Sequence, residues 1–387
     1  MWRLWYSRFS YDREKECKLC GASSKTISEV IGVCVDCLRT RPEEALEIAM
    51  RAHDRSRTAF GLPVRIPRAT DGVKCTVCAN ACQIPEGGKG FCGLVYNRGG
   101  RLERVAGGYK AVVSWYYDPL PTNCVAGWFC PGTTGLGYPK YSYSIRGAES
   151  GYVNLAVFYG ACNSDCLFCQ NWSYREHTVS MRPLRSVDDL VNAAKDRRVS
   201  CVCFFGGDPG PQVMHALIAS KKLLELAERE KRILRICWET NGLLGKSFLK
   251  KVIEVSLKSG GIIKFDIKAW TPSVYKALTG VDNKPVFENF REIAKYIPER
   301  PEVPLLTAST LLVPGYVDAY EVEKIAEFIA DLDPEIPYSL LAFHPDYMLS
   351  DLPPTSRRHA MEAKKAAEDK GLKHINIGNV WLLGDYY

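Results

Sequence analysis

From residue 151 onward, six short apolar runs, YVNLAVFYG, SCVCFFGG, LRICWETNG, GIIKFDIKAW, TASTLLVPGY and YSLLAFHP, are separated by stretches of helical periodicity. Runs of β-branched, aromatic and aliphatic residues with little polar alternation read as strands buried on both faces, the signature of a parallel sheet. Parallel neighbours need a long crossover, and the intervening segments supply it. Ser186 with Asp189 three residues later forms a capping-box pattern before VDDLVNAAKDRR, and Pro211 stands at the first turn of PQVMHALIASKKLLELAERE. KSFLKKVIEVSLKSG, AYEVEKIAEFIADL and SRRHAMEAKKAAEDKG follow, the last closed by a glycine. Strand and helix repeated about six times predict an α/β fold, a full or partial (β/α)6 barrel over residues 151–387, with its chemistry at the C-terminal strand ends.

Two further regions precede the barrel. Residues 1–70 carry two cysteine pairs and then RPEEALEIAMRAHDRSR, whose apolar positions recur at helical spacing. Residues 71–150 are rich in Gly, Pro, Tyr and Cys, with strand-like runs such as RLERVAGG and KAVVSWYY. A loop-rich region this small needs a metal or a neighbouring domain to hold it.

Of the sixteen cysteines of the 387-residue chain, eight fall in C-x2-C pairs, a pattern of metal ligation in a reducing compartment. No apolar run is long enough to cross a bilayer, and MWRLWYSRFSYDREKE has charges where a signal peptide carries its apolar segment; the expectation is a cytoplasmic protein with no membrane partner. A net charge of +7 with interspersed signs permits nucleic-acid binding without indicating it. Arg39, Arg41, Arg51, Arg55, Arg57, Arg65 and Arg68 read either as a phosphate-binding face or, more simply, as a solvated helix surface.

Cys17, Cys20, Cys34 and Cys37 follow C-x2-C-x13-C-x2-C, a closed tetrathiolate pattern suited to structural zinc, with a rubredoxin-like iron site as the rival. Cys75, Cys78, Cys82 and Cys92 have uneven spacing, which suits an auxiliary iron–sulfur cluster somewhat better than a second zinc, and Cys124 or Cys130 can replace any one of them as ligand. Cys201, Cys203 and Cys237 alternate into barrel strands and read as small core residues.

The segment GACNSDCLFCQNW after the first strand places Cys162, Cys166 and Cys169 at C-x3-C-x2-C spacing. A closed zinc site needs a fourth ligand, for which only His177 follows nearby, and inert core cysteines are seldom grouped in a polar loop. Three thiolates on a four-iron cube leave one iron open to an exogenous ligand.

With Phe168 before the last cysteine and the loop directly after a first barrel strand, this segment resembles the radical S-adenosylmethionine (SAM) superfamily. The resemblance continues in order: FFGGDPGPQ with Gly206, Gly207 and Asp208; CWETNG with Glu239, Thr240 and Asn241; and KFDIKAW with Asp266 and Lys268. The last is similar to an element of pyruvate formate-lyase activating enzymes. It implies a [4Fe–4S] cluster on Cys162, Cys166 and Cys169 that binds SAM and cleaves it reductively to a 5′-deoxyadenosyl radical, which abstracts hydrogen from a substrate. It also implies SAM contacts from the Gly-Gly-Asp and Glu-Thr-Asn strand ends, an Asp266–Lys268 pair facing the cavity, Val313 and Pro314 beside the adenine, and His344 near SAM or substrate. A low-potential electron donor is implied as a partner.

The Cys75–Cys92 segment resembles the front end of AmmeMemoRadiSam-type proteins, and Cys124 and Cys130 mark a divergent branch of that group. The substrate stays open between a molecule modified directly and a partner protein, as for glycyl-radical-enzyme activases. The rival of another class is a zinc-dependent nucleic-acid-binding protein without SAM chemistry.

Overall fold

The computed structural model describes residues 12–387, so the charged start of the chain lies largely outside the described residues. Its centre is one nine-stranded sheet: β1 (Lys110–Pro119), β2 (Val153–Tyr159), β3 (Leu184–Ser186), β4 (Val199–Gly206), β5 (Arg235–Thr240), β6 (Ile263–Asp266), β7 (Leu306–Leu312), β8 (Tyr338–Ala342) and β9 (Ile375–Gly378). The spatial order is β9-β8-β7-β6-β5-β4-β2-β1-β3. From β2 through β9 the neighbours are parallel, whereas β1 runs antiparallel to β2, and β3 antiparallel to β1. All six apolar runs form parallel strands, and β9 adds a seventh. Among the described residues the sheet is open, a partial barrel that ends at β9 on one side and β3 on the other.

The strand KAVVSWYY, placed by its sequence in the Cys-rich region, pairs along its length with β2, from Val113 opposite Tyr159 to Pro119 opposite Val153. It therefore extends the barrel sheet across the expected division at residue 150.

Two helices precede the sheet, α1 (Val35–Thr40) and α2 (Pro42–Thr58); α3 (Tyr174–Ser180), α4 (Val187–Ala193), α5 (Val213–Glu230), α6 (Lys246–Ser259), α7 (Pro272–Thr279), α8 (Lys284–Ala294), α9 (Ala319–Leu332) and α10 (Arg357–Asp369) lie between or beside the strands. The capping box forms as its sequence requires: Ser186 Oγ accepts from the Asp189 N–H while the Asp189 carboxylate accepts from the Ser186 N–H. Helix α5 buries Val213, Ala216, Ala219, Leu223 and Leu226, an i, i+3, i+7 stripe against the sheet. Alternation along β4 sends Val202 and Phe204 to this helical layer, where Phe204 packs on Trp238 with ring centroids 4.8 Å apart. Cys201, Cys203 and Phe205 face the barrel interior.

The segment 120–150 closes the N-terminal ends of the strands. Trp128 Nε1 donates to Ser339 Oγ at 3.0 Å, and Ser339 Oγ donates to the Val125 carbonyl at 2.9 Å. Buried Glu149 accepts two bonds from Arg235 and one from Ser200. At the other end, the cysteine-pair module docks on the turn after β7: Arg39 binds Asp318 and Glu321, and the Tyr316 hydroxyl bridges the Ser28 N–H and the Val33 carbonyl. Three of the N-terminal arginines are taken up by contacts of the fold, while Arg41, Arg51, Arg55 and Arg65 lie exposed. Arg57 is fully buried, Arg39 is held by two carboxylates, and Arg68 donates to the Asn80 and Ala81 carbonyls.

Candidate functional site

The loop after β2 is fixed from several sides. The Asp165 and Leu167 N–H groups donate to the carbonyls of Thr279 and Leu278 at the end of α7. Asp165 itself is fully buried, and its carboxylate accepts from Ser56 Oγ at 2.9 Å and Arg175 Nη2 at 2.6 Å, with His53 Nδ1 at 2.9 Å. Burial opposes this charge, but His53, Arg175 and Arg57 outweigh it and hold the carboxyl below its usual range. Helix α2 thus reaches from the N-terminal region to Asp165, the residue just before Cys166.

The opposite wall comes from β4. The Gly207 N–H donates to the Tyr159 carbonyl and the Asp208 N–H to the Ala161 carbonyl, at 2.8 and 2.9 Å. A Cβ on Gly207 would stand 2.3 Å from the Ala161 oxygen, and Gly206 has φ +112°, so the two glycines let this backbone lie directly against the cysteine loop. Asp208 accepts from the Gly210 and Asn241 N–H groups and from Thr240 Oγ1, linking the ends of β4 and β5. Asn241 Nδ2 then donates to Asn163 Oδ1 at 2.8 Å and lies 3.7 Å from Cys162 Sγ.

These strand ends surround one cavity of about 180 Å³, lined by Cys162, Cys166, Cys169, Phe168, Gly206, Gly207, Asp208, Glu239, Thr240, Asn241, Asp266 and Lys268. Lys268 pairs with Asp266 and sits over the Phe168 ring, 5.4 Å from its centroid. Burial pushes the Cys166 thiol up to about 11, with Lys268 working against it, and pushes Asp208 up to about 6. Loading a metal here must displace thiol protons, which a Lewis acid and an adjacent ammonium favour. The donor set suits an open cluster: three thiols in one loop, set wider apart than ligands of a single ion, beside Asp266, which lines the cavity and whose Oδ1 has no hydrogen-bond partner among the described residues.

Three expected residues are placed elsewhere. Val313 is fully buried in a turn, accepting from the Tyr316 and Val317 N–H groups, and Pro314 is buried with it. The module of residues 12–40 covers this turn, where a Cβ on Gly315 would meet the Thr26 oxygen at 2.2 Å. His344 Nδ1 lies 2.9 Å from Asp346, outside the cavity lining. Leu311, Leu341 and Asn379 take those wall positions. Sequence reading missed Asn379, just past the end of the seventh parallel strand, and the anchoring set His53, Ser56, Arg57 and Arg175. Only the buried-face spacing of His53, Ser56 and Arg57 on α2 hints at the latter.

The other cysteines separate by spacing. Cys17 and Cys37 sulfurs are 3.7 Å apart, as are those of Cys20 and Cys34. A tetrahedron with metal–sulfur bonds of about 2.3 Å has edges of about 3.75 Å. Among the described residues this is the one group of three or more potential ligands at single-ion spacing. Cys75, Cys78, Cys82 and Cys92 are neighbours, each opposing ionisation of another, but are more widely set. Asn80 Nδ2, within this second group, donates to the Asn163 carbonyl at 2.7 Å, which places the two cysteine loops side by side. Cys124 and Cys130 do not join that group; they line a cavity at the N-terminal strand ends with Cys201, Cys203 and Cys237. The physical reason is the path of segment 120–150, which runs under the sheet.

A family model described as the radical SAM superfamily matches residues 156–329. An uncharacterized protein of Methanocaldococcus jannaschii is 30% identical over 312 residues, covering 80% of this chain and 81% of its own. The isethionate sulfite-lyase activating enzyme of Oleidesulfovibrio alaskensis is 26% identical over 197 residues, covering 49% of this chain and 59% of its own. Among solved structures, a domain of pyruvate-formate lyase-activating enzyme from Bacteroides vulgatus is similar at 22% identity and a TM-score of 0.35, covering 46% of this chain and 98% of that one.

Proposed function

Given that the chain belongs to the radical SAM superfamily and is an enzyme of the kind that resembles pyruvate formate-lyase activating enzymes, we propose that Cys162, Cys166 and Cys169 hold its [4Fe–4S] cluster and that SAM occupies the adjoining cavity. When bound, such a cluster supplies the electron that splits SAM into methionine and a hydrogen-abstracting 5′-deoxyadenosyl radical. The observation that carries this reading is convergence: the cysteine loop and the ends of β4, β5 and β6, far apart in sequence, line one cavity.

Each wall has a task set by its chemistry. The Gly206–Gly207 backbone and the Asp208 carboxylate offer acceptors at a wall where a cationic amino group binds, and Glu239, Thr240 and Asn241 offer polar partners for the ribose or carboxylate. The unpartnered Asp266 Oδ1 takes one more donor, while Lys268 balances the negative charge of the thiolates. Phe168, Phe205, Leu311 and Leu341 exclude water from the centre, where a reactive species must be shielded.

In the same reading, Cys17, Cys20, Cys34 and Cys37 hold a structural zinc, their 3.7 Å edges matching its bond lengths. Cys75, Cys78, Cys82 and Cys92 hold an auxiliary iron–sulfur cluster. Their spacing, wider than that of the zinc set, supports this, and the Asn80–Asn163 bond between the two cysteine loops supports a role in electron relay. The enzyme works in the cytoplasm with a low-potential electron donor, and no helix among the described residues is long and apolar enough to cross a membrane. The substrate is a molecule whose hydrogen is abstracted directly. A second reading, activation of a partner protein, is favoured by the naming of one curated relative as an activating enzyme.

The test is 5′-deoxyadenosine release by protein reconstituted without oxygen and supplied with dithionite and SAM. Wild type should release it and the Cys166→Ala variant should not; release by the variant, or none by a wild type carrying four more irons than the Cys162/Cys166/Cys169 triple Ala variant, would sink the proposal.

A further inference from the structure

Helix α3 carries a fully buried charge, Arg175, outside the lining of the SAM cavity. Its Nη2 donates to Asp165 Oδ1 at 2.6 Å and lies 3.5 Å from the Cys166 carbonyl, inside the turn that joins the cysteines. The guanidinium carbon sits 4.5 Å from the ring centroid of Tyr174 and 4.3 Å from that of Tyr347. Tyr347 is held in turn by its hydroxyl, 2.8 Å from Ser56 Oγ, and by stacking on Trp172. Two rings and one carboxylate therefore fix where the fork sits.

The carboxylate accounts for only part of the side chain. Arg175 Nε and Nη1 are buried with no hydrogen-bond partner among the described residues, and buried N–H groups are costly to leave unpaired. A tie to Asp165 alone needs only a point charge, which a lysine supplies without stranding these donors. The neighbour on the other side is Cys169. Burial raises its thiol, and Arg175 is the strongest charge working against that, ahead of Lys268. A thiol is a weak acceptor, whereas thiolate and cluster sulfurs accept N–H bonds.

On the reading that Cys162, Cys166 and Cys169 hold a [4Fe–4S] cluster, we infer that Arg175 is a positioning residue for its reduction: the fixed charge and the unused N–H groups beside Cys169 stabilise the reduced state. Reduction takes one electron from the low-potential donor and adds one negative charge there, with no bond made or broken. Net charge and hydrogen bonds to sulfur are what the protein uses to set such potentials. Arg175 does not line the cavity, so its effect needs no contact with SAM.

The experiment is a redox titration with dithionite of full-length protein reconstituted without oxygen, followed by electron paramagnetic resonance with and without SAM. The signal that SAM changes belongs to the cluster with an open iron. In Arg175→Gln the equilibrium constant for its reduction should fall at least about tenfold, which is a midpoint about 59 mV lower. Arg175→Lys keeps the charge without the planar fork and should lower it at least about threefold; it decides if the Gln variant does not load iron. A loaded variant with the midpoint of wild type would overturn the role. So would an equal shift in a signal that SAM leaves unchanged, or loss of iron from both variants, which would leave Arg175 as a structural tie to Asp165. Wild type with no SAM-responsive signal would instead overturn the cluster assignment on which the role rests.

Discussion

Replacing Asp165 with Asn tests how the N-terminal helix is tied to the cysteine loop. The substitution keeps the shape and removes the charge that faces Arg175 at 2.6 Å and Arg57 at 3.9 Å, all three side chains being at most 1% exposed. Breaking a buried pair leaves uncompensated charge, at a cost of about 3–5 kcal/mol. At 1.4 kcal/mol per tenfold, local opening of α2 and of the loop after β2 becomes roughly 100 to 4,000 times more frequent. Hydrogen exchange read by mass spectrometry on peptides covering 42–58 and 160–175 measures it. The carboxyl is held below its usual range, so its stabilisation is complete above about pH 4 and is lost only as pH falls through its lower folded value. The difference between variant and wild type should therefore be constant from pH 6 to 8. Exchange within tenfold of wild type in both peptides would refute the reasoning, because it would mean that the two arginines are satisfied without Asp165.

Other outcomes follow from single contacts. Gly207→Ala forces a Cβ against the Ala161 carbonyl, and calorimetry should show SAM affinity reduced at least about tenfold; unchanged affinity would remove Gly207 from the site. Glu149→Ala strands buried Arg235 and should lower unfolding free energy by about 3–5 kcal/mol in urea with an unchanged slope. Chelation at neutral pH should remove one zinc from Cys17, Cys20, Cys34 and Cys37 and raise exchange over residues 15–40, with the barrel strands unaffected; equal loss of barrel protection would show that the module is not separately metal-dependent.

The strands and most helices were legible because each buries a continuous or periodic apolar face, which local sequence records directly. The cavity residues on β4, β5 and β6 were legible because they stand at strand ends in a known order of motifs. Val313 and Pro314 were misplaced for the opposite reason: whether the turn after β7 faces the cavity depends on what covers it, and the cover is a module some 290 residues earlier in the chain. Asp165 read only as a polar neighbour of the cysteines, since its partners His53, Ser56, Arg57 and Arg175 are gathered by packing.

By itself the sequence determined which residues can be strands and which cysteines share a loop, because spacing along the chain fixes ligand geometry within a few residues. Only the tertiary structure decided which distant groups meet. It set the Cys75–Cys92 loop beside the Cys162–Cys169 loop, and it parted Cys124 and Cys130 from the former to join Cys201, Cys203 and Cys237 beneath the sheet. Those choices depend on the order of strands and the path of segment 120–150, long-range packing that no local spacing encodes.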